Sequence, residues 1–153
     1  MSNRAQSWPG DEGPAAYIRE AIDVCRVDRI DQGNAATADP RLIGQLADER
    51  IPLTMCPVSN LRLGGVKNLA DHPIRALMDA GVIVTVNSDD LSYFEAYIND
   101  NFAAVQQHLD VRHSELATLA RNSFTAAFAR QESVADGVAR VNAYIDRRQL
   151  SIQ

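Results

Sequence analysis

Two adjacent carboxylates, Asp89 and Asp90, close the run Val84-Thr85-Val86-Asn87-Ser88, and this placement first suggests chemistry. Gly81 to Thr85 is built of small and β-branched residues that favour a strand. A buried parallel strand that breaks into carboxylates is how α/β barrels present reacting groups, because their active sites lie at the carboxyl ends of strands. Neighbouring carboxylates repel unless a cation or hydrogen-bond donors hold at least one of them. The plainer alternative is a solvated turn in which Asp89 or Asp90 caps the next helix.

Other polar breaks recur along the chain. Pro52-Leu53-Thr54-Met55-Cys56 reads as a second short strand, running into the polar, Pro-broken loop Pro57-Val58-Ser59-Asn60. Asp71-His72-Pro73 opens a helix that runs to Gly81, with proline at a favourable first position. Downstream lie Asn99-Asp100-Asn101-Phe102 and Leu119-Ala120-Arg121-Asn122-Ser123-Phe124. In this order and at these spacings the set resembles the adenosine/adenine deaminase family of the amidohydrolase superfamily, with the bacterial adenine deaminase branch nearest. The resemblance extends from about Gly10 to Phe128.

That resemblance implies a zinc-dependent aminopurine deaminase on a (β/α)8 barrel, and it also exposes departures. Such barrels need roughly 250 residues, whereas this chain has 153. The family's His-x-His zinc pair is absent from the sequence, whose histidines are His72, His108 and His113. His72 is expected to pack or hydrogen-bond at a helix start, and His108 and His113 to lie at the surface. Trp8 stands where the family has a third zinc-binding histidine, and Asp11 where it has the general-acid glutamate. Gln32 stands at the position of the histidine that helps activate the zinc-bound water. Asp89 matches the zinc-binding aspartate of the Ser-Asp-Asp motif and Asp90 the aspartate that contacts the purine ring. Leu91 replaces a proline that commonly follows them.

Catalytic zinc usually has three protein ligands and an open position. One ligand position survives here, Asp89. Tryptophan offers only an indole N–H, and glutamine neither takes up nor releases a proton near neutral pH. Asp11 is one methylene shorter than glutamate, and a misplacement of about 1 Å can cost on the order of a hundredfold. The expectation is a deaminase-like chain that is not competent alone and needs no cofactor in isolation. The alternative is one subunit of a split zinc enzyme whose other half supplies the His-x-His strand.

Composition fits an ordinary packed protein, with 46% hydrophobic and 23% charged residues. A formal net charge of −5 gives no electrostatic reason to expect nucleic acid or a membrane surface. No apolar run approaches the roughly 18 residues of a membrane span, and the first residues lack a signal-peptide core, so a cytoplasmic location is expected. Cys25 and Cys56 are expected to be buried thiols.

The elements that must position the carboxylates follow from periodicity. Ala15 to Cys25 reads as a helix with Tyr17, Ile18, Ala21, Ile22 and Cys25 on its apolar stripe. Arg26 to Ile30 reads as a strand, and Asp39 caps a helix through Glu49. After Tyr93 the pattern is helical: one stripe runs from Phe94 to Leu109, Ser114 caps a second helix, and Val134 to Ile145 mark a last one weakened by Gly137. A further strand over Asn3 to Trp8 is expected from the resemblance, although its composition is polar. The fold expected is α/β, half of a TIM-type (β/α) barrel over residues 1–153 as a single domain, with three to four parallel strands followed by C-terminal helices. The strands read as continuous apolar runs suited to burial on both faces. An open sheet of this kind invites association. The expected partner is a second copy or a complementary half-barrel chain, and the expected ligand is a purine.

Overall fold

The computed structural model describes the backbone of Ser7–Pro9 and residues 13–148. Four short strands, β1 (Ser7–Pro9), β2 (Arg29–Asp31), β3 (Leu53–Met55) and β4 (Val84–Val86), pair in parallel in chain order. The register sets Ile30 beside Leu53 and Leu53 beside Val84, while Asp31, Thr54 and Thr85 align one position on. Strand side chains alternate between faces, so this register sorts them cleanly. Ile30, Leu53, Met55, Val84 and Val86 lie fully buried on one face. Arg29, Asp31, Thr54 and Thr85 occupy the other. β3 and β4 are buried on both faces as expected, but only the helix-facing side is apolar, and the inner side carries the buried hydroxyls of Thr54 and Thr85 and an ion pair.

Helices cover the apolar face. The helix α1 (Ala15–Glu20) continues as a wider turn to Cys25 and contributes Ile18, Ala21 and Ile22 to the core. Tyr17 is 57% exposed and Cys25 is exposed as well, so the stripe is narrower than the sequence suggested and only Cys56 is a buried thiol. Asp39 caps α2 (Pro40–Asp48) by accepting from the Arg41 and Leu42 N–H groups, and Leu42 and Leu46 face the sheet. The segment expected as a loop after β3 is instead the helix α3 (Pro57–Arg62), started by proline at its first position. A 3₁₀ turn, Leu69–Asp71, precedes α4 (Ile74–Asp79), whose Ile74 and Leu77 are buried. After β4 come α5 (Leu91–Phe94), α6 (Ile98–His108), α7 (His113–Thr125) and α8 (Gln131–Arg147).

Ser114 is not the cap of α7. The Glu115 carboxylate reaches back to the Arg112 N–H at 2.8 Å, the acidic half of a capping box. Glu115 also meets the Arg75 guanidinium of α4 at 2.9 Å and that of Arg112 at 3.1 Å. These two arginines hold its carboxyl far below the usual carboxylate range. At the other end of α7, Arg29 of β2 donates to the Ala126 carbonyl at 3.3 Å and lies 4.2 Å from the Phe128 ring centre. The corner between α7 and α8 is thus tied to the amino end of β2, leaving the carboxyl ends of the strands for other uses.

Gly137, expected as the weak point of α8, is a buried crossing point. A Cβ there would meet Phe124 Cδ1 at 2.1 Å. Gly137→Ala should therefore lower stability by about 1–2 kcal/mol, because overpacking outweighs the roughly 1 kcal/mol gain in helix propensity. In a Phe124→Ala background the same change should become stabilising. Thermal unfolding of the four proteins checks this; a purely additive cycle would show that the ring does not set the requirement.

Candidate functional site

The carboxyl ends of β2, β3 and β4 bring together residues far apart in sequence. Gln32 follows β2 with φ +57° and Asp89 follows β4 with φ +63°. Positive φ is uncommon for non-glycine residues, and each such position costs energy that surrounding contacts must offset. Here the two strained residues bond to each other: Gln32 Nε2 donates to Asp89 Oδ2 at 3.0 Å. The Ser59 hydroxyl donates to the same oxygen at 2.6 Å. Asp89 Oδ1 accepts the Asp90 N–H at 2.9 Å. Hydrogen bonds to a carboxylate are each worth about 1.5–3 kcal/mol, enough to keep both backbones in place.

The chain of contacts continues inward. Asn60 Nδ2 donates to Gln32 Oε1 at 2.8 Å, and Asn60 Oδ1 lies 3.0 Å from His72 Nε2. The Ile74 N–H approaches His72 Nδ1 at 3.4 Å, making that nitrogen an acceptor and placing the ring proton on Nε2. His72 is 3% exposed, and burial pushes its pKa down to about 4. The expected role of His72 at a helix start is thereby observed. His108 and His113 lie exposed at the end of α6 and the start of α7.

The remaining sequence candidates fare differently. Asp90 is exposed and caps α5 by accepting the Tyr93 N–H at 3.0 Å, so the capping reading holds for Asp90. Trp8 pairs with Ile30 in the β1–β2 register. Asp11 lies outside the described residues. Ser59, Asn60 and His72 were not singled out as site members by sequence reasoning. The signal for Ser59 and Asn60 was Pro57: as a helix start it places them in a first turn beside a strand end rather than along a loop.

The adenosine deaminase family model matches residues 3–144. The chain belongs to the adenosine deaminase family. An adenine deaminase of Streptomyces coelicolor is 52% identical over 143 residues, covering 92% of this chain and 42% of the relative. That of Sphingopyxis alaskensis is 49% identical over 135 residues, covering 88% and 40%. The crystal structure of an adenine deaminase from Arthrobacter aurescens superposes with a TM-score of 0.89 at 41% identity, covering 93% of this chain and 44% of that one. The chain spans about two fifths of the length of the curated relatives it matches. Its four parallel strands with their helices are accordingly a partial deaminase barrel.

The family implies zinc, and the donor set can be tested against it. At Asp89, the ligand position the resemblance implies, Oδ2 already accepts from Gln32 and Ser59. Gln32 presents N–H rather than a lone pair, and His72 is turned away into the Asn60 contact. Among the described residues no group of three His, Cys, Asp or Glu side chains converges. These residues do not fit a catalytic zinc.

Because the folded protein keeps His72 neutral, the unfolded chain binds its proton first as pH falls. Stability attributable to this group is complete above pH 6.5 and declines between pH 6.5 and about 4, by roughly 3 kcal/mol at most. Urea unfolding at pH 7, 6 and 5 should show this slope in the wild type and a flatter one in His72→Leu. Equal slopes would place the proton elsewhere.

Proposed function

We propose that this chain is an adenine deaminase-like half barrel that does not deaminate by itself. The carrying observation is the Gln32–Asp89 hydrogen bond. The position that should supply a basic imidazole supplies an amide donor, and it engages the carboxylate oxygen that a metal would need. Hydrolytic deamination requires a strongly nucleophilic water at the purine carbon, generated by a metal or a base. Gln32 supplies neither. What the site retains is acceptor chemistry: Asp90 stands exposed at the strand end and Asp89 beside it, suited to the N–H groups of a purine ligand. With adenine or adenosine and added zinc, the purified chain is expected to show no turnover above background. Turnover that disappears in Asp89→Ala would overturn the reading.

A second reading, one subunit of a split zinc-dependent deaminase, draws on the sheet. β1 and β4 are its outermost strands, and Asp89 keeps its place at the end of β4. A complementary chain carrying the His-x-His strand would have to displace Gln32 from Asp89 to form a zinc site. That requirement ranks the split enzyme below the non-catalytic reading.

Association forms part of the same proposal. The polar inner face and the outer edge of β1 suit a second copy, since two-fold pairing is the commonest closed assembly. Light scattering at micromolar concentration should give twice the 16.8 kDa chain mass. A monodisperse species at the chain mass would show that α7, which packs along β4 and donates from Asn122 Nδ2 to the Val84 carbonyl at 2.9 Å, shields the sheet sufficiently.

A further inference from the structure

We propose that the hydrogen-bonded chain His72–Asn60–Gln32–Asp89 is the organising centre of the site, joining the carboxyl ends of β2 and β4 through α3 and the segment before α4, with Gln32 as its positioning residue. The inference rests on the metal-free reading of the site and extends it to what holds the strand ends in register without an ion. Gln32 extends from β2, Ser59 and Asn60 from α3, His72 from the segment before α4, and Asp89 from β4. Three side-chain contacts of 2.8 to 3.0 Å run end to end across these elements, and the Ser59 bond adds a branch.

The chain has one consistent direction, fixed at both ends. The Ile74 N–H sets Nδ1 of His72 as the acceptor, so Nε2–H points at Asn60 Oδ1. The Asn60 nitrogen then faces Gln32 Oε1, and the Gln32 nitrogen faces the carboxylate. Rotating either amide by half a turn would set oxygen against oxygen at one joint and N–H against N–H at the other. A carboxylate accepts only and a neutral imidazole of this tautomer donates only through Nε2, so the two termini select the same orientation. Consecutive bonds aligned in this way polarise one another.

Its supports are themselves fixed. The Val66 N–H donates to the Asn60 carbonyl at 3.2 Å, and the Val58 N–H to Asn101 Oδ1 at 3.1 Å, which anchors α3 to α6. Asn60 is 2% exposed and Asn101 fully buried. The left-handed backbones of Gln32 and Asp89 are accounted for in the same way: each is strained alone, and each aims its side chain at the other. Glutamine suits this role where histidine does not. It receives from one amide and gives to a carboxylate at the same time, without taking up charge.

Nitrogen-15 spectra of the side-chain amides test the proposal through residues that do not touch. In the wild type, the Gln32 and Asn60 side-chain protons should exchange slowly. His72→Leu, which leaves Asp89 and Gln32 intact, should speed Gln32 exchange roughly tenfold or more, about 1.4 kcal/mol per tenfold. His72→Gln restores a donor near Nε2 and should recover it. From the other end, Asp89→Asn should move the Asn60 amide and the His72 Nε2–H resonances, although neither contacts Asp89. A folded His72→Leu with unchanged Gln32 exchange overturns the proposal. If that variant does not fold, an Asp89→Asn response confined to Gln32, Ser59 and Asp90 overturns it equally. Titration of the wild-type chain with zinc chloride separates the two inferences. Zinc bound at micromolar concentration with the amide signals retained would overturn the metal-free reading alone.

Discussion

A carboxylate at the end of a parallel strand, partly withdrawn from water, must be compensated from more than one side. In this chain that carboxylate is Asp89, and the arrangement of the strand ends follows from how it is satisfied. Two side-chain donors and one backbone N–H converge on its two oxygens. Supplying them requires the left-handed backbone after β2, the early start of α3 at Pro57, and the tight turn through Asp89 itself. None of these features is favourable alone. Together they satisfy the carboxylate with directed dipoles.

The sheet beneath shows how such a site is carried on so short a frame. Each strand has only three residues, and in β2, β3 and β4 the alternation delivers apolar side chains to the helices and polar ones to the opposite face. The polar face is internally satisfied: Thr54 Oγ1 donates to Asp31 at 3.1 Å, Arg29 pairs with Asp31 at 2.8 Å, and Thr85 donates to Asn87 Oδ1 at 2.6 Å. The Arg29 stack on Phe128 shows the arginine stem and plane covering an aromatic ring near the amino end of the sheet. A face satisfied in this manner tolerates exposure better than the apolar sheet expected from hydropathy.

What the residues disclosed in advance, and what they withheld, divides along the range of the interactions. Asp39 before Pro40 marked a helix start through a contact two residues away, and Val84-Thr85-Val86 marked a strand through local propensity. The Ser-Asp-Asp break marked the site through chain chemistry. Tyr17 and Cys25 sat on a plausible stripe yet face solvent, because helical periodicity gives a direction and not the width of the surface waiting there. Gly137 appeared a defect on propensity alone. Its value lies in Phe124, on a different helix. The Gln32–Asp89 bond spans 57 positions, and nothing local to either residue announces it. Only the resemblance, which implies an imidazole where Gln32 stands, drew attention to this residue, without showing which partner its amide meets.

An amide relay and a bound metal differ in the energetics they give a site. A structural zinc contributes on the order of 10 kcal/mol or more to the protein that binds it, whereas each charge-assisted hydrogen bond contributes about 1.5–3 kcal/mol. The relay holds two such bonds to Asp89, from Gln32 and Ser59, and two neutral ones worth about 0.5–1.5 kcal/mol each, so it falls short of the zinc figure. Losing one end leaves the buried Asn60 amide and the half-buried Gln32 amide facing mismatched partners. The cost of removing one member therefore exceeds the worth of its own bond. A neutral relay further leaves the negative charge of Asp89 in place, where a divalent ion would have neutralised it. Asp90, one residue on, spends one oxygen on capping α5 and otherwise faces solvent. The strand end consequently offers an acceptor-rich, net-negative surface. Such a surface attracts N–H donors and repels anions.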